Sequence, residues 1–255
     1  MRIAALYDIH GNLPALEAVL RDVHDAAVDQ IVIGGDVVPG PMPRETIDRL
    51  RAINLPVQFI LGNGDREIVA LRRGLTTGGF PEAFRETMQW VADQLTPDDE
   101  RLLASWPATL TLAVPGIGDV LFCHATPRND TEVFTRATPG AAVLPALAGV
   151  TAPLVVCGHT HMQFDRRLAT IRIVNAGSVG MPFQAPGAYW LRLDSSPAKA
   201  GRHIELRRTA YDLSKAGDLV RQTGYPGADE FAARNIMAPP SETSMLEAFS
   251  RIELR

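Results

Sequence analysis

Seven side chains with metal-ligand chemistry follow directly on apolar runs in this 255-residue sequence. The run Ile3–Tyr7 leads into Asp8-Ile9-His10, Ile31–Ile33 into Gly34-Gly35-Asp36, and Val57–Leu61 into Gly62-Asn63-Gly64-Asp65. Val120–Cys123 leads into His124, and Leu154–Cys157 into Gly158-His159-Thr160-His161. Asp, Asn and His supply the oxygen and nitrogen donors that divalent transition metals take. Each piece alone has an ordinary explanation: Asp-x-His as a hydrogen-bonded turn, Gly-Asp and Gly-Asn-Gly as turn backbone, a single His as a satisfied semi-buried residue. His159-x-His161 says more, because residues i and i+2 of extended chain face the same way and two imidazoles can grip one ion. Chance does not readily place seven such donors, four of the six histidines among them, behind five apolar runs.

The runs are short and bounded by Gly, Pro, Asn or Asp, the pattern of strands buried on both faces. Leu110–Val114 is a further candidate. Between the runs lie amphipathic stripes. Leu13, Leu16, Val19, Leu20 and Val23 form one, with Asn12 placed to cap it; Ile47, Leu50 and Ile53 form another behind Pro43. This alternation predicts crossover connections and a largely parallel sheet, whose strand carboxyl ends share one edge where a binding crevice forms. Residues 66–107 hold no good strand. Phe84, Met88, Val91 and Leu95 mark one helix and Thr96-Pro97-Asp98-Asp99 opens another, so this segment reads as a helical insertion. From 166 to 211 the pattern is one of hairpins, with strands at Thr170–Val174, Ala188–Leu193 and His203–Arg208. Helices around Leu213–Val220, Asp229–Asn235 and Met245–Ile252 close the chain. Strand alternation turns Cys123 and Cys157 away from the donors that follow them, into core.

Apolar types make up 46% of the residues and charged types 21%, which excludes intrinsic disorder. A chain this long buries a core without disulfides, and one domain over 1–255 is expected, with 66–107 inserted and 212–255 a C-terminal helical segment. The 25 basic and 29 acidic residues leave a net charge of −4. That argues against nucleic acid as the partner, although one phosphate could still be held locally. No apolar run is long enough to cross a bilayer, the N-terminus lacks the form of a signal peptide, and the two cysteines make no staple pattern. A reducing cytoplasm is the expected location, and a homo-oligomer stays open.

In order and spacing, Asp8-x-His10, Gly35-Asp36, Gly62-Asn63-x-Asp65, His124 and Gly158-His159-x-His161 resemble the calcineurin-like metallophosphoesterase superfamily. Asp8-Ile9-His10-Gly11-Asn12 together with Asn175-Ala176-Gly177-Ser178 resembles its small prokaryotic phosphodiesterase branch. The resemblance spans residues 1–180 well and the C-terminal helices loosely. It implies an α/β fold, a four-layer αββα sandwich of two mixed β-sheets flanked by helices. It implies one metal on Asp8, His10 and His161, another on Asn63, His124 and His159, and Asp36 bridging both. A shared carboxylate suits two cations about 3.5–4 Å apart, because it offsets their repulsion. The implied reaction is hydrolysis of a small phosphodiester by a metal-bridging hydroxide, in which Asp36, Asn63 and His124 act through the metals. Imidazole, carboxylate and amide donors suit Mn, Fe, Zn, Ni or Co rather than Cu(I) or Ca. The alternatives are a phosphomonoesterase for a small phosphorylated metabolite, and a partner-binding scaffold that keeps the metal site as a relic.

One position departs from the family. Its third motif usually reads Gly-Asn-His, and that His is thought to protonate the leaving group; here Gly64 stands in its place. The departure predicts a preference for aryl or cyclic phosphodiesters, whose leaving groups depart without a strong acid, and better turnover of poor leaving groups in Gly64→His. Asp65 reads as an acceptor of hydrogen bonds from its loop rather than a substitute acid. Asn12, Arg66 and Arg128 are candidate substrate contacts, with helix capping and plain solvation as their alternatives. Tyr211, Tyr225 and the C-terminal helices are placed beside the site on the loose part of the resemblance.

Overall fold

Successive residues of the central strands go to different cores, and that alternation builds the layers. In β1 (Arg2–Leu6), Ala4 and Leu6 pack under helices while Ile3 and Ala5 face a second sheet. In β2 (Gln30–Ile33), Ile31 and Ile33 take the helical side and Val32 the inner side. The structure, a computed structural model, describes residues 1–75, 82–195 and 204–254. Between and after these strands run α1 (Leu13–Asp25), α2 (Pro43–Arg51), β3 (Val57–Phe59), α3 (Asn63–Arg72), α4 (Arg85–Gln94) and α5 (Pro97–Ala104). Then come β4 (Thr109–Val114), β5 (Gly118–Cys123), α6 (Gly140–Val143), β6 (Leu154–Cys157), β7 (Phe164–Leu168) and β8 (Ile171–Asn175). The chain continues through β9 (Ala188–Asp194), β10 (Ile204–Thr209), α7 (Leu213–Arg221), α8 (Ala228–Phe231) and α9 (Glu242–Phe249).

The strands form two five-stranded mixed sheets, ordered β10-β9-β1-β2-β3 and β4-β5-β6-β8-β7. β1, β2 and β3 are parallel, as are β5, β6 and β8; the remaining strands pair antiparallel. The αββα sandwich implied by the resemblance is the fold. Its outer layer over the second sheet is thin: α6, the single turn Leu144–Leu147 and Phe134 cover Cys123, Val155 and Cys157. Both cysteines therefore lie on the outer face of the second sheet. Among the described residues, no helix is long and apolar enough to cross a membrane.

Some expectations need correcting. The five donor-bearing strands do not share one parallel sheet; β1, β2 and β3 belong to one sheet, β5 and β6 to the other. Helical crossovers imply parallel neighbours but do not say how many sheets those neighbours fill. The helical segment starts at Asn63, ahead of 66, so a candidate ligand opens a helix. The edge strand β7 was hidden because Asp165, Arg166 and Arg167 break its apolar pattern. The expected Asp229–Asn235 helix is α-helical over Ala228–Phe231, and a wider turn follows over Ala232–Met237. β10 begins at Ile204, and His203 lies outside the described residues.

Tyr7 joins the two sheets. It is fully buried between them, and its hydroxyl donates to the Val156 carbonyl at 3.0 Å. Its ring lies flat on glycines from both sheets: a Cβ at Gly34 would sit 2.1 Å from it, and one at Gly158 would sit 2.5 Å away. Gly34→Ala is therefore expected to cost about 1–3 kcal/mol through overpacking. Tyr7→Phe is expected to cost about 1 kcal/mol for the lost hydrogen bond. Urea midpoints measure both, and midpoints equal to wild type would remove Tyr7 as the joint.

Candidate metal centre

Backbone hydrogen bonds tie the ends of β1 and β2, and those of β5 and β6, before any side chain acts. Asp8 N donates to Gly35 O (3.1 Å), His10 N to Asp36 O (2.9 Å) and Gly158 N to His124 O (2.8 Å). Asp8, His10, Asp36, His159 and His161 all adopt left-handed backbone, with φ of 53°, 49°, 52°, 65° and 56°. Residues other than glycine avoid that region, and among the described residues the only other cases are Ala27 and Ala169. Concentrated strain of this kind marks a site that the surrounding fold holds in place.

Hydrogen bonds then aim each ring. Nδ1 of His10 meets Pro39 O at 3.0 Å, Nδ1 of His124 meets Gly34 O at 2.9 Å, and Nδ1 of His161 meets Met181 O at 2.6 Å. A carbonyl can only accept, so each Nδ1 carries the hydrogen and each ring turns its Nε2 inward, as the atom left to meet an ion. The Nε2 atoms of His10 and His161 consequently face each other 3.2 Å apart. The carboxylates divide their oxygens in the same way. Asp8 Oδ2 accepts from His159 N (2.9 Å) and Asp36 Oδ1 from Gly64 N (2.7 Å). Asp8 Oδ1 is buried without a hydrogen-bond partner, 3.3 Å from His161 Nε2. Asp36 Oδ2 lies 3.8 Å from His10 Nε2 and 3.6 Å from His124 Nε2. The Asn63 oxygen sits 3.0 Å from His124 Nε2 and 3.0 Å from His159 Nδ1; turned over, the amide would donate to both.

Acceptor facing acceptor across a buried space is unfavourable unless a cation lies between them. Asp8, His10 and His161 form one group able to hold an ion, and Asp8, Asp36 and His124 form another. Asn63 and His159 adjoin the second group, half-buried at its mouth, while the other five side chains are buried. All seven donors singled out in the sequence converge here. Imidazole, carboxylate and amide together fit a transition-metal centre.

The electrostatics agree. Burial works against ionising Asp8 and Asp36, yet the facing histidines more than reverse it and hold both carboxyls below the usual range. Burial also works against charging His124, but Asp36 and Asp8 push its imidazole up to about 10. Burial and the neighbouring His161 push His10 down; burial and His124 push His159 down to about 4. Two carboxylates thus hold a proton on one imidazole, where a metal would otherwise supply the positive charge.

Neighbouring residues depart from several expectations. Gly64 gives Asp36 a backbone N–H, and a Cβ there would lie 2.6 Å from Pro39 Cγ. Pro39 thus fills the space that a histidine would need, so Gly64→His cannot simply restore an acid. Asp65 is the loop acceptor expected: Oδ1 takes Val37 N (2.9 Å) and Val38 N (3.0 Å). Burial, with Asp36 nearby, lifts its carboxyl to about 7. Asn12 is fully buried, accepting from Ala15 N (3.2 Å) and donating to Gly180 O (3.0 Å), which makes it the cap of α1 and not a substrate contact. Arg66 grips Asp130 (2.7 and 3.1 Å) and Glu67 (2.6 Å), and Arg128 grips Glu132 (2.9 Å). Both arginines line, with His124, a cleft of about 380 Å³. Tyr211 reaches Asn12 (3.4 Å), whereas Tyr225 packs edge-on against Trp90 in the helical core, away from the site. Sequence reasoning missed Phe183, which stacks on His161 at 4.7 Å, because a lone aromatic in a Pro-rich loop carries no pattern.

Comparisons with known proteins extend this picture. Residues 1–196 match the calcineurin-like phosphoesterase superfamily domain. An uncharacterised protein of Methanocaldococcus jannaschii is 25% identical over 245 residues, spanning 88% of this chain and 93% of that one. The crystal structure of a metallophosphoesterase from Sphaerobacter thermophilus matches with a TM-score of 0.70 at 26% identity, covering 91% of this chain and 98% of its own. A hypothetical protein from Pyrococcus horikoshii shares the fold with a TM-score of 0.77 at 19% identity, covering 94% and 99%.

An ion entering the cage has to displace the proton held on His124. Apparent affinity for Mn²⁺ is therefore expected to rise with pH, about tenfold per unit for one proton displaced, throughout the range below about 10. Titrating metal-stripped protein at about pH 6, 7 and 8 measures the slope; an affinity independent of pH contradicts it.

Proposed function

Because the chain belongs to the calcineurin-like phosphoesterase superfamily, we propose that its cage holds two divalent metal ions and that it hydrolyses small phosphodiesters. Asp8, His10 and His161 hold one ion, Asn63, His124 and His159 the other, and Asp36 lies between. The observation that carries this reading is a group of inward acceptors left unmatched: Asp8 Oδ1 without a partner, and the paired Nε2 atoms of His10 and His161. Divalent ions bound there acidify a water and offset the charge that develops on the phosphoryl oxygens. The chain's own part is positional. Pro39 O, Gly34 O and Met181 O lock three imidazoles in one tautomer, and Gly64 N fixes one Asp36 oxygen while leaving the other free to bridge.

Charge favours a diester over a monoester. Arg66 and Arg128 stand in the cleft beside His124, but each is already bound to a carboxylate of this chain. Neither guanidinium is available to take the second negative charge of a monoester, whereas a diester brings only one. Leaving-group chemistry narrows the ester, without separating diester from monoester. With Pro39 over Gly64 no imidazole acid stands at that position, so esters whose alcohol departs unaided, aryl or cyclic, suit the site. The monoesterase reading uses the same cage and differs in this charge balance. A scaffold with a relic site would be expected to have lost donors, and all seven are in place.

Assaying bis-aryl against mono-aryl phosphate with Mn²⁺ tests the reading. The diester is expected to show kcat/KM higher by about tenfold or more, since a missing hydrogen bond to a charged oxygen costs about 1.5–3 kcal/mol. Asp36→Asn is expected to lower turnover by more than about a hundredfold while the fold persists. A preference for the monoester would move the assignment to phosphatase, and full activity in Asp36→Asn would remove the cage from the reaction.

A further inference from the structure

One wall of the cage continues outward into the C-terminal helix. Phe183 stacks on His161 with ring planes 27° apart, and its backbone N–H donates to His161 O at 3.2 Å. Phe249, the last residue of α9, meets the Phe183 ring at 6.1 Å and 52°. Both phenylalanines are half-buried. None of the residues of α9 is buried, so core packing does not account for its position. Its contacts include Phe249 on Phe183 and Glu242 accepting from Arg136 Nε at 2.8 Å.

Beyond Phe249 opens a cleft of about 360 Å³, lined by Thr135, Thr138, Pro139, Ala142 and Leu254. Its far side is braced. Arg166 donates to Thr135 O (3.0 Å) and Thr138 O (2.8 Å), and Thr135 N donates to Thr138 Oγ1 (2.9 Å). The two half-buried rings offer apolar surface whose further burial by a ligand would be favourable. A phosphorus held at the cage would place its organic substituent within reach of the ring stacked on His161.

We propose that Phe183, Phe249 and the adjoining cleft form a subsite for the organic group of the phosphoester, and that it selects a planar aromatic group. Rings meeting at 52° form a corner in which a third ring packs edge-to-face on one and offset on the other, a geometry that an alkyl chain cannot exploit. The subsite rests on the reading of the cage as a phosphoesterase centre.

The monomethyl esters of phenylphosphonate and methylphosphonate carry the same singly charged head as a diester and differ only in the organic group. Calorimetric titration of both into metal-loaded protein separates head from subsite. The wild type is expected to bind the phenyl compound about three- to tenfold more tightly. In Phe249→Ala that ratio is expected to fall towards one, and in Phe249→Trp to persist. Loss of α9 as mere structure would weaken both compounds together and leave the ratio intact, which would overturn the subsite. Equal affinities in the wild type would also overturn it while leaving the cage as a phosphonate site. Failure of both compounds to bind would instead overturn the phosphoesterase reading and the subsite with it.

Discussion

The organising constraint of this molecule is a buried space into which lone pairs point at lone pairs. Carboxylate oxygens and imidazole nitrogens removed from water are costly unless each finds a donor or a cation. Here the ordinary remedies are used on the outside of the cage. Each Nδ1 of His10, His124 and His161 has its carbonyl, and Asp8 and Asp36 each have one oxygen on a backbone N–H. The inward Asp8 Oδ1 and the facing Nε2 atoms of His10 and His161 have nothing equivalent. That asymmetry, more than the count of histidines, makes the centre a place for metal ions.

Holding such a space open requires the rest of the fold to resist its relaxation. Two sheets are needed, because the donors arrive on β1, β2 and β3 from one side and on β5 and β6 from the other. Tyr7 presses on Gly34 and Gly158 and reaches Val156, so the strand ends bearing Asp36 and His159 are set against a common ring. Gly35 completes the joint, since its positive φ of 91° lets the backbone pass so close that a Cβ would fall 2.5 Å from Gly62 N. The left-handed backbone at five of the donors is the strain this framework sustains.

Much of the centre was legible in the sequence because each donor follows an apolar run, and a buried strand must end at an edge. The resemblance to a superfamily supplied the sandwich, which periodicity alone does not: β1 and β6 read alike as buried strands although they lie in different sheets. Less legible were features that depend on packing between distant segments. Pro39 occupying the space beside Gly64 is one, and the pairing of Arg66 with Asp130 across 64 residues is another. Both alter the chemistry expected at the site, by excluding an added imidazole and by neutralising a cation. Phe249 lies far along the chain from His161, and only the folded arrangement brings it, through Phe183, to the cage.

Anomalous scattering from crystals soaked in Mn²⁺ would test the proposal of a two-ion centre most directly. Two peaks about 3.5–4 Å apart, one within reach of His10 and His161 and the other within reach of Asn63 and His124, are the expected result. Peaks confined to surface carboxylates, with no density among the inward-facing donors, would contradict it.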